Sequence, residues 1–424
     1  MARAGLGRAR TGLGWRGAAA SSALMLAAVL TGVPAADAAQ GGFGAPRGSS
    51  TATGSSAAKG DGRGAAGGAT AACGKATGPF GVSGTQVFGV DGKAFVSYGL
   101  TVAGLQGPDW AGSVMDDLEE ITAAADDWCA NTVRLQLDQD DLLGPRGTGF
   151  DQSYLAAIET EVSLAESEHL VVVLNDETNY APAAVAAYQL GPTPATKTFW
   201  KDLTRVYGYD PQVIFDLFNE PRMYSFGMSA AQEWRLWRDG GRYEGVNYPF
   251  GMAELAAYVR NTLGATNLFW IEGPDWSASF AGMVQAGALL NVTGVVYAVH
   301  HPAGQPDPAS WNADFGYLVN TGVAPVVDGE WTNYEPTPTS QAPVGGSCWP
   351  DAPTMVPEFL QYLATHGIGL DAYTLQAGYL LESTNPAVPN TINARTWSCQ
   401  PGQEAQPGQG AGAEIMSWFQ QQNG

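Results

Sequence analysis

The sequence predicts an α/β protein of the (β/α)8 TIM-barrel class, on three observations. From about Cys73 onward, short apolar runs alternate with amphipathic segments, the pattern of parallel strands covered by helices. Eight such runs occur, which is the barrel number. Several of them end abruptly in Asn, Asp, Glu or His, and in a parallel barrel the C-terminal strand ends face the ligand.

Gln86 to Tyr98 opens the body with two alternating runs around Asp91-Gly92, a hairpin signal suited to plugging the barrel bottom. Phe95 to Thr101 is the first strand and Ser113 to Ala130 the first helix. Thr132 to Leu137, carrying Arg134, is the second strand. An apolar stripe of Tyr154, Leu155, Ile158, Val162 and Leu164 marks a helix over Asp151 to Glu168. The third strand, Leu170 to Leu174, exits through Asn175-Asp176-Glu177. After a helix over Thr196 to Tyr207 comes the fourth strand, which begins at Val213 and is almost unbroken in β-branched and aromatic residues. Asn219 and Glu220 sit at its exit, and Pro221, without an N–H, cannot continue the ladder. The fifth strand, Asn267 to Ile271, ends in Glu272-Gly273; the sixth, Gly294 to Val299, in His300-His301-Pro302; the seventh, Val323 to Val327, in Asp328-Gly329-Glu330-Trp331. Gly367 to Leu375 is the eighth strand and Ala413 to Gln421 a closing helix. Long segments rich in Gly, Pro and aromatics separate strands four and five, and seven and eight. Such loops build binding clefts on the C-terminal face.

Ahead of the body, Arg3, Arg8, Arg10 and Arg16 precede an apolar run from Ala18 to Val33 and the small-residue site Ala36-Asp37-Ala38, the anatomy of a secretory leader over residues 1–38. Its removal leaves the chain three charges more negative than its full-length −21. Residues 39–72 are mostly Gly, Ala, Ser and Thr, a composition too poor in apolar side chains to offset ordering entropy, and read as a disordered linker. Residues 73–424 form the folded domain, expected as a monomer with no membrane span after cleavage of the leader. The acidic charge, with no Lys/Arg block, disfavours nucleic acid and anionic membranes as partners but does not oppose a neutral ligand such as carbohydrate. Four cysteines suit a secreted, oxidising destination. Of three possible connectivities we expect Cys73 with Cys129 and Cys348 with Cys399. No Cys/His spacing indicates zinc.

Glu330 closes strand seven much as Glu220 closes strand four, and both exits face one bowl. Two carboxylates converging there are what glycosidic cleavage needs: one protonated to assist the leaving oxygen, one ionised to attack the anomeric carbon. At these residues the sequence resembles glycoside hydrolase family 5, the cellulase family. The family's Asn-Glu-Pro signature stands at Asn219, Glu220 and Pro221. Asn131-Thr132-Val133-Arg134 is similar to its second-strand motif, Asn267 to Trp276 to its fifth-strand segment, and Val296-Tyr297-Ala298-Val299-His300 to its sixth. Glu330 falls at the position of its nucleophile. Three departures bear on substrate placement: Pro302 stands where a Tyr is usual, Asn175-Asp176-Glu177 where a His is frequent, and the eighth strand offers Tyr373 but no Trp.

The resemblance implies a retaining double displacement without metal or organic cofactor. Glu220 is the acid/base, Glu330 the nucleophile, and Arg134, Asn219 and His300 support them. Arg134 is expected to lower the pKa of Glu330, and lost solvation near a second carboxylate to keep Glu220 protonated. Trp276, Trp331 and Tyr297 are expected at the substrate, with Glu177, Asp176 and Glu272 as supporting groups or subsite ligands. The expected activity is a secreted endo-β-1,4-glucanase acting on β-linked polysaccharide or oligosaccharide. A β-mannanase or exo-acting β-glucosidase of the same family is the alternative. An inactive carbohydrate-binding barrel is a different class, disfavoured by the presence of both carboxylates.

Overall fold

The computed structural model describes residues 73–107, 110–144, 147, 149–177, 190–223, 228–243, 245–301, 307–332, 334–336, 346–348, 352–375, 380 and 411–424. The expected leader and linker, Pro302 and the expected Cys348–Cys399 pairing lie outside the described residues.

Eight parallel strands close on themselves: β1 (Tyr98–Val102), β2 (Thr132–Leu137), β3 (Val171–Asp176), β4 (Val213–Asp216), β5 (Phe269–Glu272), β6 (Val295–Val299), β7 (Val326–Trp331) and β8 (Gly369–Ala372). Each pairs with the next in sequence, and β8 pairs with β1 through Leu370↔Tyr98 and Ala372↔Leu100. Covering helices include α1 (Trp110–Asp126), α2 (Gln152–Ser167), α3 (Pro194–Tyr207), α4 (Ala230–Asp239), α5 (Ala352–His366) and α6 (Gly412–Asn423).

The period-2 alternation of strands divides the core into two layers. Val171 and Val173 of β3, Trp270 of β5 and Val296 and Ala298 of β6 point into the barrel, where they pack with Ile214 and Val327. Their neighbours Val172, Leu174, Phe269, Ile271, Val295, Tyr297 and Val299 face the helices. At the barrel bottom a three-stranded antiparallel sheet (Gly81–Ser83, Gln86–Phe88, Ala94–Phe95) inserts Val87, with Phe80, Val82 and Phe95 packed behind it. The expected hairpin is thus present and seals the N-terminal face.

Local signals account for the element ends. Asp151 caps α2 by accepting from the backbone N–H groups of Ser153 and Tyr154, and Thr193 with Thr196 forms a capping box at α3. The first helix ends at Asp126, before the expected Ala130, because Cys129 takes a left-handed φ of 56°; His169 does the same at 59° after α2. Cys73 and Cys129 form a disulfide.

Three expectations need correction. The seventh strand runs from Val326 to Trp331 rather than ending at Val327, so Glu330 belongs to the strand, next to an irregular register between Asp328 and Trp331. The segment between strands seven and eight holds α5, whose apolar residues Val356, Phe359, Leu360 and Leu363 fall at helical spacing despite Pro357. Between strands four and five lie α4 and a two-stranded hairpin (Gly241–Tyr243, Val246–Tyr248), not loop alone.

Candidate active site

The upper half of the barrel interior is polar. By strand parity Arg134 and Gln136 of β2, Asn175 of β3 and Asp216 of β4 replace the apolar residues that fill the lower half, and all four are buried. Arg134 is the hub. Its Nε donates to Asp216 Oδ2 at 3.0 Å, Nη1 to Glu330 Oε2 at 3.0 Å, and Nη2 to Asn219 Oδ1 at 2.6 Å and Glu272 Oε1 at 3.1 Å. Asn175 Nδ2 also donates to Asp216 Oδ2, at 2.9 Å. Charge-assisted hydrogen bonds from a planar fork fix several partners at once, which a lysine cannot do. The anions hold the guanidinium charged: burial opposes the charge, but Asp216, Glu330 and Glu272 outweigh it and raise the Arg134 pKa well above its ordinary value.

Glu220 follows β4 with φ 44°, a left-handed conformation that a non-glycine residue adopts at a cost of roughly 1–2 kcal/mol. Its backbone N–H donates to Glu272 Oε2 at 2.5 Å, which holds that conformation. Its carboxylate reaches His300, with Nδ1 and Oε1 3.1 Å apart. Reactive atoms of Glu220, His300 and Glu330 all lie within 4.8 Å of one another. His300 Nε2 lies 3.2 Å from Glu272 Oε1, so both ring nitrogens face carboxylates. Burial disfavours an imidazolium there, but Glu272 and Glu330 outweigh it and raise the His300 pKa well above its usual range.

Glu330 is held by Arg134 and, at 3.3 Å, by Gln136 Nε2, which also donates to Glu177 Oε2 at 3.1 Å. Its pKa is raised, not lowered as expected. Burial is the largest effect; His300 and Arg134 pull the other way without overcoming it, and Glu220 adds to the rise. Neighbouring carboxyls behave alike: burial pushes Glu272 to about 8, Asp371 to about 8, and Glu177 well above the carboxylate range. The site therefore holds more carboxyl groups than cations and retains protons near neutrality. Gly99 is required beside Asp371, since a Cβ there would stand 1.9 Å from Asp371 Oδ2.

The structure thus brings Glu220, Glu330, Arg134, Asn219 and His300 together. His301 turns away: its ring lies against Phe315 and Phe359, with Nδ1 4.0 Å from Asp314. Trp276 is half-buried beside the exit of β4, its N–H donating to Pro221 O at 3.3 Å and its ring 5.8 Å from the Arg222 guanidinium. Asp275, Trp276 and Ser277 all have positive φ (57°, 57° and 55°), a turn that carries the indole to the rim. The two other aromatics are corrected. Trp331 is 1% exposed and stacks on Phe359 at 4.9 Å, because the register shift in β7 sends Glu330 to the interior and the indole to the helices. Tyr297 sits at an outward position of β6, packs on Phe280, and accepts the Leu290 N–H at 2.9 Å. Neither ring faces the cleft. Tyr373 is half-buried after β8, its N–H donating to Trp331 O at 2.8 Å.

Sequence reasoning passed over Asp216, Gln136 and Asp371, and gave Glu272 no specific contact. The available signal was parity: a polar residue two positions from Ile214 or Arg134 in an otherwise apolar strand points inward.

Comparison with known proteins gives the family and the fold. The family model described as Cellulase (glycosyl hydrolase family 5) matches residues 85–376. An endoglucanase of Paenibacillus polymyxa is 30% identical over 152 residues, 31% of this chain and 37% of the relative. Endoglucanase C of Evansella cellulosilytica is 27% identical over 195 residues, 44% of this chain and 22% of the relative. The matches therefore span well under half the length of these relatives. Among solved structures, the catalytic domain of a Thermobifida fusca endoglucanase superposes with a TM-score of 0.54 at 17% identity, covering 81% of this chain and 97% of that one. A β-glucanase of Saccharophagus degradans in complex with cellotetraose gives 0.51 at 18%, covering 82% and 94%. With the fold, the paired carboxylates and a family match over most of the described body in agreement, the chain belongs to glycosyl hydrolase family 5.

Proposed function

We propose that this protein is a secreted, retaining endo-β-1,4-glucanase in which Glu220 is the acid/base and Glu330 the nucleophile. The observation that carries the reading is the carboxylate separation. Oxygens of the two residues approach within 4.8 Å, which suits the separation of about 5–5.5 Å between the carboxyl groups of a retaining pair better than the about 6.5–9.5 Å that lets an inverting pair hold a water between them.

Glu330, ionised and oriented by Arg134 and Gln136, attacks the anomeric carbon as Glu220 passes its proton to the departing glycosidic oxygen. A glycosyl ester on Glu330 results. Glu220, now an anion against His300, takes a proton from water as its oxygen attacks the same carbon; the ester bond breaks, Glu330 is regenerated, and the anomeric configuration is retained. Asn219, its carbonyl oxygen engaged by Arg134, has amide N–H groups to offer a sugar hydroxyl. Trp276 supplies an apolar face for a pyranose ring. The endoglucanase relatives and the cellotetraose bound to a similar barrel support a β-glucan substrate. The basic and apolar leader supports export, and no described helix is long and apolar enough to cross a membrane.

The test is an activity panel on carboxymethyl cellulose, mixed-linkage glucan, mannan, xylan and aryl glycosides, run beside Glu220→Gln and Glu330→Gln. Turnover of β-glucan that both variants lose is expected. Full activity in both variants would sink the assignment of the pair, and preferential turnover of mannan would replace the substrate. NMR of the first-formed anomer checks retention.

A further inference from the structure

Glu272 has more connections than its place beside the catalytic pair requires. It ends β5 and is fully buried. Its Oε2 accepts the backbone N–H of Glu220, and its Oε1 lies 3.1 Å from Arg134 Nη2 and 3.2 Å from His300 Nε2. One carboxylate therefore touches the backbone of the acid/base residue, the guanidinium that holds the nucleophile, and the imidazole that contacts the acid/base carboxylate.

Its own position is fixed. The Glu272 carbonyl accepts from Trp237 Nε1 at 2.9 Å, and the next residue, Gly273, donates its N–H to Ser277 Oγ at 3.0 Å. Ser277 in turn donates its hydroxyl to Ala298 O at 2.6 Å, and its carbonyl accepts the His300 N–H at 2.9 Å. The exits of β5 and β6 are thus tied together, so Glu272 and His300 are presented to each other by rigid backbone rather than by mobile loops.

We propose that Glu272 is a positioning residue: its Oε2 locks Glu220 in its left-handed conformation and its Oε1 holds the His300 ring against the Glu220 carboxyl, so that this carboxyl is presented to the leaving oxygen in one orientation. This rests on the reading of Glu220 as acid/base. The groups facing His300 are Glu220 from the exit of β4, Glu272 from β5, and Glu330 and Asp328 from β7, with Arg134 of β2 joined to Glu272 and Glu330. Replacing Glu272 by Gln keeps the volume and one carbonyl oxygen, but turns an N–H2 toward the Glu220 N–H or toward Arg134 and His300, groups that face a carboxyl oxygen in the native site.

The experiment compares wild type, Glu272→Gln and Glu272→Asp on aryl β-cellobiosides with a poor leaving group and with dinitrophenolate, across pH. For Glu272→Gln the expected results are a kcat lower by about ten- to a hundredfold on the poor leaving group, from loss of charge-assisted hydrogen bonds, and a much smaller loss on dinitrophenolate, which needs no protonation. The alkaline limb of kcat/KM, set by the groups in contact with Glu220, should move away from its wild-type position, and Glu272→Asp, which restores both acceptor oxygens, should move it back. Equal losses on both leaving groups with an unmoved alkaline limb would reduce Glu272 to a packing residue and overturn the proposal. A wild type that turns over no glycoside would instead overturn the parent reading. If Glu272→Gln does not fold, Glu272→Asp decides, since it keeps both acceptor oxygens but draws them back by one methylene: a loss confined to the poor leaving group is expected, and equal losses on both leaving groups refute the proposal.

Discussion

Replacing Arg134 by Met tests the site most severely. Met reproduces the side chain as far as Nε, so the change removes the rest of the guanidinium fork and its charge while keeping the apolar stem. Arg134 makes four hydrogen bonds to three carboxylates and an amide oxygen, and is itself fully buried. Removing one member of a buried ionic cluster costs about 3–5 kcal/mol, since the other charges remain desolvated. At roughly 2 °C per kcal/mol for a large domain, Tm should fall by on the order of 6–10 °C. The loss should depend on pH. Glu272 and Glu330 already have raised pKa values with Arg134 in place, and without it they rise further. A carboxyl with a folded pKa above its unfolded value favours the native state when protonated, and that advantage fades as pH climbs from the unfolded pKa through the folded one. The Tm deficit should therefore be larger at pH 8 than at pH 5. The acid limb of kcat should also move to higher pH, because Glu330, as the proposed nucleophile, must ionise to attack. Differential scanning calorimetry at the two pH values, with a pH–rate profile, measures both. An equal deficit at both values, together with an acid limb unchanged from wild type, would refute the electrostatic account of the hub.

Glu220→Ala should lose activity on poor leaving groups but retain much of it on dinitrophenyl glycosides, with azide restoring turnover as a β-glycosyl azide; Glu330→Ala should lose activity on both, and azide rescue there should give the inverted α-azide, the two being told apart by NMR. Trp331→Ala should destabilise by about 3–5 kcal/mol, as for a buried Trp, whereas Trp276→Ala should leave Tm nearly unchanged and raise KM for polymer, a contrast read from melting curves and kinetics. Between α1 and α2, Asp117 and Glu161 are buried acids, their pKa values raised by burial to about 6 and about 10 respectively. Protonation favours the native state there, so the cost grows from about pH 4.5 upward, and Glu161→Gln should raise Tm more at pH 8 than at pH 4.5. Replacing Cys73 and Cys129 together by Ser should cost about 4 kcal/mol by loop entropy across their separation of 56, measured by urea titration.

The strands were readable because parallel strands buried on both faces leave long apolar runs, and their exits because Asn219-Glu220 and Glu330 interrupt those runs with charge. Side-chain direction was harder to read. Tyr297 stands in the motif that ends at His300, but an odd number of residues before it, and one step of pleat sends it outward. Trp331 follows Glu330 directly, and only the register shift against β8, a cross-strand property, determines that the carboxylate turns in and the indole out. Glu272 reads as one strand-end acid among several; its importance comes from Arg134, Glu220 and His300, which stand 138, 52 and 28 residues away in the chain and meet it only in the closed barrel. The direction of the Glu330 pKa was misjudged for a related reason. A sequence shows which cation can approach a carboxylate, but not how completely water is removed from it.

At the barrel bottom, Asn423 of α6 donates through its side-chain amide to Cys129 O at 2.8 Å and to Gly74 O at 2.9 Å, while Gly74 N–H donates to Asn423 O. The first and last described turns of the chain are thereby fastened to the disulfide ahead of β2, on the face opposite Glu220 and Glu330. Cys73 is thus held at the closed end of the barrel, so an attachment made at that end leaves the C-terminal strand exits, with Glu220 and Glu330, facing outward.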